Sequence, residues 1–318
     1  MGAYGLQTHI WNNQLKSLLL LAGFPALLAI LLFGLVIGYV GIAESFDSYD
    51  EAWAVIRRIY LGALPFAVLG ALVWFLIALA FHQQMIAASV GAKSLDRRDA
   101  PELYNLLENL CISRGIKMPR LSIVESSAMN AFASGVSDKN YAITVTRGLL
   151  DRLDSDELEA VLAHELTHIR NQDVRLLIVA VIFVGIFSFI GELIFEGLFR
   201  SGVRIGGHTR SRNGDSRGGG LLILIAIAMI AVAYILAIVI RFALSQRREY
   251  LADAGAVDLT RRSDAMIRAL EKISGRSEIE APADVRQMMV DNPVRFLGVF
   301  ATHPPIEKRI EALRAYGA

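Results

Sequence analysis

The chain has 318 residues, 54% of them hydrophobic and only 20% charged, a balance that argues against an ordinary soluble enzyme. Its net charge of +1 offers no basic excess for a nucleic-acid partner. A single cysteine, Cys111, excludes an intrachain disulfide framework.

The apolar excess lies in separate runs. A leader, residues 1–16, precedes residues 17–43, which carry no charge. Such a run is long enough to span a bilayer, for which about 20 apolar residues suffice. Gly41, Ile42 and Ala43 resemble a signal-peptide cleavage site, but a secretory apolar region is only about 7–15 residues long with a basic flank, and here the leader holds Lys16 alone. The run is therefore expected to be an anchor over 17–41. An acidic loop with Glu44, Asp47, Asp50 and Glu51 leads to a second uncharged run, Ile59–Phe81, so residues 17–81 read as a first transmembrane hairpin.

Residues 82–174 form a polar segment, the first part of a catalytic domain. Pro101 opens an amphipathic helix through Ser113, closed by Gly115 and Pro119. Cys111 falls on its apolar face with Leu103, Leu106, Leu107 and Leu110, and reads as packing. A short extended run, Leu121 to Glu125, follows. A loop of small residues reaches Asn130–Gly135, and Tyr141–Val145 alternates as a strand. Asp154 with Glu157 three residues later resembles a capping box, and Leu158, Val161, Leu162 and Ile169 continue a helical apolar face.

Residues 175–243 read as a second transmembrane hairpin, with spans from Leu176 past Glu192 and over Gly218–Ile240, and a Gly/Arg-rich linker, 201–220, between them. Residues 244–318 form the second part of the catalytic domain, with helices expected over Arg248–Asp258, Ser263–Ser274 and Pro305–Tyr316. Lys93, Arg97, Arg98, Arg241, Arg247 and Arg248 flank the spans and put both polar parts in the cytoplasm. Arg200, Arg204, Arg210, Arg212 and Arg217 would lie on the opposite side, against that rule. The expected architecture is mainly α: a four-span membrane domain carrying a cytoplasmic α+β metallopeptidase domain.

The central helix carries His164-Glu165-Leu166-Thr167-His168. Helical residues four apart stand about 40° apart around the axis and about 6 Å along it, so both imidazoles reach one cation from one face. Glu165 is then placed to take a proton from a metal-activated water as general base. A catalytic zinc site needs a third protein ligand. Asn171 and Val174 stand where a metzincin carries Gly and His, which argues against that class. Glu249 is the better candidate, with Asp253 four residues on to accept an imidazole N–H. Without the upstream motif, the pair would read as a solvated helical couple. Spans three and four supply an even number of crossings between His168 and Glu249, so both can lie on one side of the membrane.

These residues resemble the HtpX-like membrane zinc metallopeptidases, related to the CAAX prenyl protease. The resemblance rests on Asn130-Ala131-Phe132-Ala133-Ser134-Gly135, the zinc motif with Asn171 and Asp173, Glu249-Tyr250-Leu251-Ala252-Asp253, and Thr302-His303-Pro304-Pro305 with Arg309. Tyr250 stands where Phe is common, and the Arg-rich linker has no counterpart role. The resemblance implies a gluzincin-type fold with one Zn²⁺ per chain, the active site facing the cytoplasm from the bacterial inner membrane, and hydrolysis of damaged or misfolded proteins, membrane proteins among them. It also implies that Asn130 and Ala131 dock substrate backbone as an added strand, that His303 donates to the oxyanion, and that Arg309 assists in binding substrate. Thr302, Pro304 and Pro305 equally form a turn opening the last helix with His303 exposed. His9, His82 and His208 are read as solvated or interfacial, and Glu192, Glu196 and Arg200 as pairing at a membrane edge. The alternatives are a membrane metal transporter, which requires ligands inside the spans, and a catalytically inactive metal-binding scaffold.

Overall fold

The computed structural model describes residues 6–43, 48–182, 227, 231, 246–278, 288–290 and 304–316. The chain divides into two compact units, one of residues 1–17, 80–181 and 242–318, the other of 18–79 and 182–241.

In the second unit lie most of α1 (Leu6–Ala43) and the first three quarters of α2 (Tyr49–Val90). Both contain a proline, Pro25 and Pro65. Val36, Ile37 and Val40 of α1 pack on Ile56 of α2. Phe33 meets Trp53 and Tyr60 edge-on, with ring centroids 5.9 and 5.2 Å apart, the arrangement that the ring quadrupoles favour. Among the described residues, Tyr49–Val90 alone is long and apolar enough to cross a membrane, and Pro25–Gly41 is a shorter apolar stretch. Large apolar side chains stand outward along α2, Phe66 at 77% exposure, with Leu61, Leu69, Leu72, Trp74 and Leu76. Most of the third expected span and nearly all of the fourth lie outside the described residues, as does the linker.

The first unit is α+β. After α2 come β1 (Lys93–Ser94), α3 (Pro101–Arg114), β2 (Arg120–Val124), β3 (Ala131–Ser134) and β4 (Ala142–Thr146). Four helices follow in the described chain: α4 (Arg147–Arg152), α5 (Ser155–Arg170), α6 (Gln246–Thr260) and α7 (Ser263–Ile273); α8 (Ile306–Tyr316) ends it. Residues 173–182 are also helical. Pro101 sits in the first turn of α3, and Gly115 closes it in the left-handed conformation at φ 63°, donating back to Cys111 and Ile112. Cys111 is buried, and burial pushes its thiol up to about 11, so it packs and does not ionise.

The sheet order is β1-β2-β4-β3, with β2 and β4 parallel and the outer pairs antiparallel. Two segments differ from the sequence reading. The small-residue stretch expected as a loop is strand β3, because pairing with β4 and burial outweigh the weak strand preference of alanine and serine. Strand β4 does not alternate: all five residues are buried, since the sheet is covered on both faces.

Helix α5 begins with a reciprocal capping box. The Glu157 amide donates to Asp154 at 2.9 Å, and the Asp154 amide donates to Glu157 at 3.0 Å. It runs through the interior, packed on α3, α6, α7 and β3. Ten consecutive residues from Ala160 are buried except His168, which opens toward a cleft.

Candidate metal centre

Helix α5 carries His164, Glu165 and His168, and the opening turns of α6 carry Glu249 and Asp253. One ligand atom from each of His164, His168 and Glu249 lies within 4.8 Å of the other two. The two imidazole Nε2 atoms are 3.2 Å apart. Glu249 Oε2 is 3.6 Å from His164 Nε2, and its Oε1 is 3.5 Å from His168 Nε2. The rings stand nearly perpendicular at 87°.

Each imidazole is held from behind by a carboxylate. His164 Nδ1 lies 2.9 Å from Asp253 Oδ1, and His168 Nδ1 lies 3.1 Å from Asp173 Oδ2. A proton held on each Nδ1 leaves the Nε2 lone pairs facing one another across the gap beside Glu249. Facing lone pairs and a carboxylate repel unless a cation or proton lies among them.

The donor set fits a zinc ion. Two ligands each about 2.0–2.1 Å from a tetrahedral ion stand roughly 3.4 Å apart, close to the separations here. Charge points the same way: the buried carboxylates of Glu165, Asp173, Glu249 and Asp253 outnumber the buried guanidiniums of Arg248 and Arg309 by two, and a divalent cation balances that excess. Burial alone depresses the His164 imidazole, but Asp253 and Glu249 outweigh it and push it up to about 9.

Glu165 is buried beside the two histidines. Burial raises its carboxyl, as does Glu249, while His164, His168 and the Ala133 amide that hydrogen-bonds it act in the opposite direction; the net shift is upward. That direction suits a group that must accept a proton. His164, Glu165, His168 and Glu249 line a cleft together with Asp173 and Arg248 and with Ala133, Val174, Leu177, Met288 and Met289.

Behind this cluster lies Arg309, fully buried on α8. Its Nε donates to Asp253 Oδ2 at 2.8 Å, its Nη2 to Asp253 Oδ1 at 2.6 Å, and its Nη1 to the Val290 carbonyl at 2.8 Å. The sequence reading gave Arg309 to substrate; here it is buried and its guanidinium grips the carboxylate that lies against His164. Asn130 is likewise fully buried, its side-chain amide donating to the Ser277 carbonyl at 2.8 Å. Ala131 lies on edge strand β3, but its carbonyl accepts from the Val290 amide at 2.9 Å, and Phe132 bridges Met289. His303 lies outside the described residues.

Sequence reasoning assigned no task to Asp173, whose link to His168 depends on a turn after α5: Gln172 there takes the left-handed conformation at φ 59°. The five-residue spacing from His168 was the available signal.

Residues 97–316 match the family described as Peptidase family M48. The chain is 40% identical over 324 residues to a Bacteroides fragilis (strain YCH46) protein named "Protease HtpX homolog", covering 98% of this chain and 99% of that one. A Listeria monocytogenes serotype 4a protein of the same name is 35% identical over 309 residues, covering 95% and 96%. The crystal structure of S. mikatae Ste24p aligns over 96% of this chain and 66% of that one, at 20% identity and a TM-score of 0.44.

Proposed function

The chain belongs to peptidase family M48, and from that premise we propose that it is a zinc-dependent endopeptidase of the bacterial inner membrane that hydrolyses damaged or misfolded proteins. The observation that carries this reading is the convergence of His164, His168 and Glu249 beside the buried carboxyl of Glu165.

His164, His168 and Glu249 would hold the zinc. When bound, it would polarise the scissile carbonyl and lower the pKa of a water in the site. Glu165 takes the proton of the attacking water and passes it to the leaving amine, and the raised position of its carboxyl favours the first transfer. Asp253 and Asp173 keep both imidazoles turned with Nε2 toward the site. Ala133, Val174, Leu177, Met288 and Met289 give the cleft an apolar wall, which suits an apolar substrate side chain. Strand β3 is the sheet edge nearest the cleft; a substrate strand adding at Ala131 takes the place of Met288–Val290 there. His303 is the proposed donor to the oxyanion.

The outward apolar side chains of α2 support contact with lipid. Four spans, with both catalytic segments in the cytoplasm, follow from the apolar runs and the basic residues beside them. Membrane proteins are the substrates such a placement favours.

Glu165→Gln tests the reading in purified full-length protein. It is expected to keep zinc, measured by elemental analysis, and to lose about 10²–10⁴-fold in cleavage of casein or a membrane-protein substrate. A fully zinc-loaded wild type that cleaves neither overturns the peptidase reading. Transport or scaffolding that survives Glu165→Gln supports the rival assignments.

A further inference from the structure

Helix α6 brings Glu249 to the imidazoles of α5; the two helices pack together, and each carries fully buried alanines, Ala160 and Ala163 on α5, Ala252 and Ala256 on α6. The tightest point is Gly255 against Thr167. A Cβ placed on Gly255 would stand 2.4 Å from Thr167 Cγ2, 2.8 Å from its Oγ1 and 3.2 Å from its Cβ. Thr167 cannot turn out of the way. Cγ2 and Oγ1 both stand under 3 Å from that point and fill two of the three staggered positions, so any other rotamer leaves one of those two positions occupied. Its hydroxyl also donates to the Ala163 carbonyl at 2.8 Å. Thr167 adjoins His168, and Gly255 lies two residues beyond Asp253, so this contact stands between the two halves of the ligand set.

We propose that Gly255 is a positioning residue for the metal centre, its missing side chain letting α6 seat on Thr167 closely enough for Glu249 to reach both imidazoles and for Asp253 to reach His164. The inference rests on the zinc reading above. A methyl at Gly255 pushes α6 outward and lengthens the 3.5 and 3.6 Å separations from Glu249 to the imidazoles. The lost contact falls on the ligand set while the helix itself gains propensity, alanine being the better helix former.

The test compares wild type, Gly255→Ala, Thr167→Ala and the double variant as full-length protein in detergent. Zinc affinity is read by chelator competition, and helicity and thermal stability are read without metal. Gly255→Ala is expected to weaken zinc binding by about tenfold or more. Thr167→Ala vacates the colliding atoms, so the double variant is expected to return within about threefold of wild type, a coupling that independent sites do not have. Equal zinc affinity in Gly255→Ala and wild type overturns the inference, as does a loss that Thr167→Ala fails to restore. If Gly255→Ala does not fold, the double variant must fold and bind zinc, and its failure to do either counts against the inference. A wild type that binds no zinc sinks the metal reading itself, and so is distinguishable.

Discussion

Arg309 grips Asp253 with two parallel hydrogen bonds of 2.6 and 2.8 Å in the protein interior, and the Asp253 oxygen that takes the shorter one also lies 2.9 Å from His164 Nδ1. Burial would raise the Asp253 carboxyl, but the Arg309 guanidinium and then His164 hold it down to about 2. The carboxylate is thus fixed in direction and charge before it meets the imidazole.

Arg309→Lys keeps the charge but loses the planar fork, and a lysine cannot reproduce a bidentate grip. Zinc affinity is expected to fall about 10–100-fold, as when a ligand's supporting partner is removed. Arg309→Ala leaves Asp253 buried beside a lost cation, which costs about 3–5 kcal/mol of stability. Chelator competition and denaturant unfolding measure the two effects. Unchanged zinc affinity in Arg309→Lys would show that Asp253 needs no such anchor.

The metal-free protein should have a pH dependence of its own. His164 rises from 6.5 to about 9 on folding, so the protonated imidazole stabilises the folded state. That contribution is complete below about pH 6.5 and is lost as pH climbs through about 9. Thermal stability in chelator is therefore expected to decline across this window. Zinc binding near pH 7 displaces the proton, and calorimetry in buffers of different ionisation enthalpy should detect its release. A flat stability profile between pH 6.5 and 9, with no proton released, contradicts the shift.

His168 has a carboxylate beside its Nδ1 as His164 has, supplied by Asp173 at 3.1 Å. Asp173→Ala is expected to weaken zinc binding about 10–100-fold, with Asp173→Asn losing less because an amide oxygen still accepts from Nδ1. Arg248 Nη1 approaches the Asp173 carbonyl at 3.4 Å, so the two residues flanking the site are themselves linked. If Asp173→Ala binds zinc as wild type does, the 3.1 Å contact is incidental.

What the sequence made legible is whatever repeats locally. His164 and His168 share a face because the helical period puts them there, and the Asp154–Glu157 capping box marks the start of α5, with Asp154 directly before its first residue. Glu249 and Asp253 stood out through the same spacing. Arg309 and Asp173 did not reveal their tasks: Arg309 acts through tertiary packing, 56 positions from Asp253, and Asp173 reaches His168 only through the left-handed turn at Gln172. Strand β3 was hidden for a different reason. Ala131, Ala133 and Ser134 have little intrinsic preference for a strand, and only β4 beside them makes one.

Gly148 bears on the placement of that same strand. It lies in α4, immediately after β4, where a Cβ would stand 2.2 Å from the Ser127 carbonyl oxygen and 2.6 Å from that of Ala128. These are backbone atoms and cannot rotate aside, so glycine is required for the close approach. The Gly148 amide donates to the Ser126 carbonyl at 2.8 Å, tying α4 to the segment that leads into Asn130 and β3. Gly148→Ala must push that segment away, and with it Ala133, whose amide bonds Glu165. The cost is expected at about 1–3 kcal/mol, the range for overpacking a dense interior. Activity should fall further than zinc content, since the β3 amide that bonds Glu165 moves away while His164, His168 and Glu249 are held by α5 and α6. Denaturant unfolding, zinc analysis and peptide cleavage on the one variant separate these effects, and a Gly148→Ala protein with wild-type stability would mean that the 126–130 segment yields without cost.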